Sequence, residues 1–123
     1  MTIKEIFEAD WKGGYAMSMK ELFEAVDKKA EKMDKIRQYL GPEETLAQLA
    51  EECAELGQAA LKLRRVLDGH NATPVSLLEA EMNLQEEMAD VLVCMRMAGM
   101  DTSEIAETVY KKIPRWCGRL GLE

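Results

Sequence analysis

The sequence predicts an all-α protein, with four main helices joined by short loops in an up-down order. Met, Leu, Ala, Glu and Lys are abundant, while there are 3 prolines and the aromatic content is 6%. That balance favours helix over sheet. Apolar residues recur every three or four positions, and no stretch alternates as a strand would. Capping boxes, glycines and prolines stand where such helices would begin and end. A chain of 123 residues with 47% hydrophobic content can build one domain with a core, but not two.

Residues 1–17 form an N-terminal extension, with a short helix predicted over Ile3–Asp10 and broken by Gly13-Gly14. Trp11 and Tyr15 flank the break, where aromatic residues more often cover a core edge than stack on a ligand. The main domain, residues 18–123, opens with Ser18 as an N-cap and Glu21 as its capping-box partner. Met19, Leu22/Phe23, Val26, Ala30, Met33, Ile36/Arg37 and Leu40 follow as one helical seam. Gly41-Pro42 ends that helix and begins a second, which runs to about Leu67. Asp68–Ala72 is a connector carrying His70, the single histidine, which on a polar loop is expected to be exposed and not a ligand. Thr73-Pro74, or Ser76 with Glu79 as a capping box, caps a third helix reaching about Met97, with Gly99 just past its end. Asp101 with Glu104 opens a fourth along Ile105, Val109, Ile113, Trp116 and Leu120, in which Pro114 is expected to kink the helix or end its first half.

The second and third helices contain nearly the same phrase. Leu49-Ala50-Glu51-Glu52-Cys53-Ala54-Glu55-Leu56 aligns with Leu84-Gln85-Glu86-Glu87-Met88-Ala89-Asp90-Val91. On a helical wheel, Leu49, Cys53, Leu56, Ala60 and Leu63 make one apolar seam, and Leu84, Met88, Val91, Met95 and Ala98 the other. Glu52 and Glu55 flank the first seam, and Glu87 and Asp90 flank the second at the same offset. If the helices pack together, four carboxylates converge. Ionised groups that close must be protonated or neutralised by a cation. A hard, oxygen-loving ion suits them: Mg²⁺, or Mn²⁺ as a substitute. Acidic residues on helices ordinarily line solvated faces, but the position beside the seam and the duplicated spacing favour the metal.

With a formal net charge of −7, the chain is a poor candidate for binding a nucleic acid duplex. A nucleotide ligand stays open, because a bound metal reverses the local sign. Cys53, Cys94 and Cys117 are odd in number and scattered, which fits neither a disulfide framework nor a zinc site. Cys53 and Cys94 are expected near packed faces, as small hydrophobes in a reducing cytoplasm. The charged N-terminus lacks the apolar region of a signal peptide, and no apolar run approaches a membrane span.

Lys112, Arg115 and Arg119 recur at i, i+3 and i+7 beside the last apolar stripe. The spacing suits phosphate binding and equally suits complementation of a helix C-terminus. Carboxylate pairs, a divalent cation and a basic patch are together the means for hydrolysing a phosphate ester or anhydride. Glu51 and Glu86, the spare members of each Glu-Glu pair, are candidates to activate the attacking water, with Glu51 preferred. There is no P-loop, no GxGxxG and no ExxH, so a ferritin-like di-iron centre is disfavoured.

At these residues the sequence resembles the MazG-like all-α nucleoside triphosphate pyrophosphohydrolases, whose relatives include the dimeric dUTPases and phosphoribosyl-ATP pyrophosphohydrolase. The family pattern EExxE followed by ExxD stands here as Glu51-Glu52-Cys53-Ala54-Glu55 and Glu87-Met88-Ala89-Asp90. The segment from Lys112 to Leu120 resembles the KxxRWxxRL ending of phage- and Firmicute-type members, and the likeness spans about Met33 to Leu120. The resemblance implies a four-helix bundle assembling as a homodimer or homotetramer, with a pocket partly built by a neighbouring subunit. It implies Mg²⁺ held by Glu52, Glu55, Glu87 and Asp90, phosphate contacts from Lys112, Arg115 and Arg119, and cleavage of a (d)NTP between its α and β phosphates. Pro114 within the basic ending, the polar linker Asp68–Pro74 and residues 1–17 depart from the family pattern. A nucleotide- or partner-binding module of the same fold without turnover, and a purely structural bundle with solvated carboxylates, are the competing readings.

Overall fold

The computed structural model describes residues 19–69, 74–99 and 102–122. The regular structure among them is entirely helical: α1 (Met19–Asp27), α2 (Ala30–Asp68), α3 (Leu77–Met97) and α4 (Thr102–Leu120). The N-terminal extension with Trp11 and Tyr15, the Ser18 cap, His70 and the Asp101 cap lie outside the described residues.

The helix expected from Ser18 to Leu40 is divided. A turn at Lys28-Lys29 separates α1 from α2, although neither glycine nor proline stands there. Asp27, the last residue of α1, pairs with Arg96 near the end of α3. The break expected at Gly41 is present. Hydrogen bonding runs through α2, but Gly41 has φ 77 and ψ 169, so the helix kinks where Pro42 opens its second segment. The Thr45 hydroxyl donates to the Gly41 carbonyl at 2.8 Å, a side-chain bond back across one turn at the kink.

Helices α2 and α3 form an antiparallel hairpin, the one extensive helix packing among the described residues. Gly69, at φ 67, caps α2 by donating its N–H to Arg65 O. Ser76 caps α3 through a complete capping box with Glu79. The core nearest this turn is Ala59, Leu63, Ala80 and Leu84, with Leu56, Val66, Val75 and Leu77 packed around it. Further along, Val91, Cys94 and Met97 are buried. The far end is tied by Arg37, whose Nε donates to Met97 O at 2.7 Å.

The line of contact keeps Leu56, Leu63, Leu84 and Val91 of the expected seam but is rotated from the rest of it. Cys53 and Ala60 on α2, Met88 on α3 and Ala98 just past its end are exposed. The helices meet on the small side chains Ala59 and Ala80, both almost wholly buried. A contact line through Ala59 continues to Leu56 and Glu52, and the matching line through Leu84 continues to Glu87. Glu52 and Glu87 therefore lie within the interface, not beside it.

Helix α4 continues through Pro114 to Leu120 and is neither ended nor divided there. The carbonyl that loses its partner to Pro114 belongs to Tyr110, a residue 77% exposed, where water can take the bond. Ile105, Val109, Ile113, Trp116 and Leu120 are all exposed. Among the described residues, then, nothing covers the apolar stripe of α4. No helix among the described residues is long and apolar enough to cross a membrane.

Candidate metal centre and adjoining cleft

The hairpin brings the two repeated phrases face to face. Glu52 from α2 and Glu87 and Asp90 from α3 each offer a carboxylate oxygen, and the three oxygens lie within 4.8 Å of one another. Glu52 and Glu87 are half-buried by the interface; Asp90, three residues beyond Glu87, stands at its exposed edge. Gln48, one turn before Glu52, donates its Nε2–H to Glu52 Oε1 at 2.8 Å. The second oxygen, Glu52 Oε2, is buried without a partner, and so is Glu87 Oε2. Buried polar atoms are ordinarily satisfied, and an unpaired carboxylate oxygen costs more than a neutral one.

The electrostatics agree with the geometry. The Gln48 hydrogen bond lowers the Glu52 pKa. Burial and the negative charges of Glu55 and Asp90 outweigh it, so the carboxyl titrates above its ordinary value. Cys94 is buried behind the cluster, and burial, with the nearby charges of Glu52 and Asp90, pushes its thiol up as well. Cys94 is thus a buried packing group whose thiol is harder to ionise than a free one. Cys53, expected at a packed face, is exposed.

Unpartnered oxygens on a purely carboxylate donor set fit a hard divalent cation such as Mg²⁺ or Mn²⁺, which would be held by Glu52, Glu87 and Asp90. Glu55, the fourth expected ligand, is not in the three-oxygen group. It is exposed and lines an adjoining cleft of about 590 Å³ together with Glu87. Glu51 and Glu86 are exposed and belong to neither the cluster nor the cleft. Lys112, Arg115 and Arg119 are exposed on α4, which packs extensively on neither α2 nor α3. The Arg119 guanidinium lies over the Trp116 ring, 5.6 Å from its centre.

The cleft contains residues the sequence reading passed over: Gln58, Lys62 and Arg65 on α2 and Asn83 on α3. The signal was available, because Gln58, Lys62 and Arg65 follow Glu55 at helical spacing on one face. Its meaning was hidden, because the cleft exists only once α3 lies alongside. Comparisons with protein families, with curated proteins and with solved structures found no match to this chain.

Proposed function

We propose that this chain is a Mg²⁺-dependent nucleoside triphosphate pyrophosphohydrolase, using water to split a (d)NTP into its monophosphate and pyrophosphate. The observation supporting it most is the meeting of Glu52, Glu87 and Asp90, from two repeats far apart in sequence, around buried oxygens that have no partner. In a solvated structural bundle those oxygens would face water and carry no such cost.

On this reading Glu52, Glu87 and Asp90 hold the ion, with Glu55 at the mouth of the cleft. A bound Mg²⁺ would neutralise phosphate oxygens and favour attack by water. Glu51 is assigned to that water. Lys112, Arg115 and Arg119 act on the phosphates of a site in a neighbouring subunit, and the four-helix bundle closes between copies. What favours this arrangement is the uncovered apolar face of α4, where Trp116 is 61% and Leu120 64% exposed. A second reading is a nucleotide- or partner-binding module without turnover. It is favoured by one feature: Glu51 is exposed and apart from the three carboxylates.

The test is release of pyrophosphate from a panel of canonical and modified (d)NTPs, with and without Mg²⁺. Metal-dependent release with a matching monophosphate is expected. Asp90→Asn should lower turnover by about a hundredfold or more while the helical circular dichroism is kept. No release from any member of the panel would leave the binding module as the reading.

A further inference from the structure

The cleft beside the carboxylates changes sign along its length. Glu55 and Glu87 line one end, and Lys62 and Arg65, one and two turns further along α2 from Gln58, line the rest. Gln58 and Asn83 contribute neutral donors between them. Neither cation forms an ion pair with Glu55 or Glu87. The ion pairs among the described arginines involve Arg37, Arg64 and Arg96 instead.

A bare anion would be repelled at the acidic end, and a bare cation at the basic end. An anion that carries its own divalent metal satisfies both. We infer that this cleft binds a metal-chelated polyphosphate chain, with Lys62 and Arg65 as the phosphate contacts supplied by the same chain that supplies the carboxylates. The inference deepens the proposed function and rests on it for the identity of the ligand as a nucleoside triphosphate. Lys62 serves as a mobile point charge, and Arg65 as a fork able to hold two oxygens of one phosphate. The polyphosphate is then gripped along α2, and the basic residues of α4 act on the part that projects beyond it.

The experiment is calorimetric titration of the full chain with inorganic tripolyphosphate, in Mg²⁺ and in EDTA, beside titration with Mg²⁺ alone. Wild type is expected to bind tripolyphosphate in Mg²⁺ and at least tenfold more weakly in EDTA. Lys62→Met and Arg65→Met should each weaken that binding about tenfold, the loss of one charge-assisted contact. Mg²⁺ affinity should stay within about twofold, since the ligand carboxylates are untouched. Lys62→Arg should restore most of the binding, which separates a charge contact from a folding defect. Lys32→Met, which lies on α2 well before the cleft's first residue, Glu55, removes the same charge without effect. Unchanged tripolyphosphate affinity in the double variant, or no binding by wild type, would overturn the inference. The outcomes for the two proposals separate: (d)NTP turnover with full tripolyphosphate binding in the double variant overturns the cleft alone. Tripolyphosphate binding that depends on Lys62 and Arg65, without turnover of any (d)NTP, supports the cleft and overturns the hydrolase.

Discussion

Glu52 carries opposing demands in one side chain. One oxygen accepts from Gln48, and the other is buried without a donor. With burial and the charges of Glu55 and Asp90 raising its pKa, the folded state holds a proton that the unfolded state has already released. Stability therefore falls as pH rises from the unfolded carboxyl pKa through the higher folded one, and the loss is fully present above that window. Glu52→Gln keeps an acceptor for Gln48 and removes the charge. In metal-free buffer at neutral pH the variant should melt higher than wild type, and near pH 4 the difference should shrink. Mg²⁺ should raise the melting temperature of wild type by mass action, with about 2.7 kcal/mol at a hundred times Kd, and leave the variant nearly unmoved. A metal-free melting temperature lowered by Glu52→Gln at neutral pH would show that the charge is not a burden. Glu52 and Glu87 were visible in the sequence through the repeated phrase. Lys62 and Arg65 were not, because one positive face on an acidic helix is indistinguishable from ordinary solvation until a second helix walls it.

At the scale of the element, punctuation was read from local chemistry and position came from packing. Ser76 and Glu79 satisfy each other's backbone N–H groups within a single turn. Ser76→Ala should therefore cost about 1 kcal/mol, read as a fall in melting temperature of about 4 °C. Gly41 has φ 77 and ψ 169, a region close to exclusive to glycine, with nothing near the place its Cβ would occupy. Gly41→Ala should cost about 1–3 kcal/mol by backbone strain alone, measurable by urea unfolding, and a compensating smaller side chain elsewhere should not recover it. The turn at Lys28-Lys29 carries no such marker. Beside it Asp27 pairs with Arg96, 69 residues away in sequence, a contact that no local pattern encodes. Pro114 does not end α4: on an exposed helix the freed Tyr110 carbonyl is open to water and the helix continues.

For the whole molecule, the hairpin core is narrow and the apolar surface is broad. Leu78 and Met82 on the outside of α3, and Ile113, Trp116 and Leu120 on α4, are more than half exposed. On the proposed reading this apolar surface, gathered along helix faces, is where copies would meet. Sedimentation should show wild type as a dimer or larger, with a melting temperature that rises with protein concentration. Ile113→Asp with Trp116→Ser should yield a smaller species of unchanged α2–α3 hairpin; a wild-type monomer would remove the shared-pocket arrangement. The helical class, the glycine and proline breaks and the acidic repeat were determined by the sequence itself, because each depends on neighbours within a few positions along the chain. The rotation of the contact line onto Ala59 and Ala80, the place of Glu52 and Glu87 inside it, and the cleft with Lys62 and Arg65 were decided only by the tertiary structure. A helix rich in Ala, Glu and Leu has several faces apolar enough to bury. Which one turns inward is settled by the partner's surface, here by two alanines that let the backbones approach.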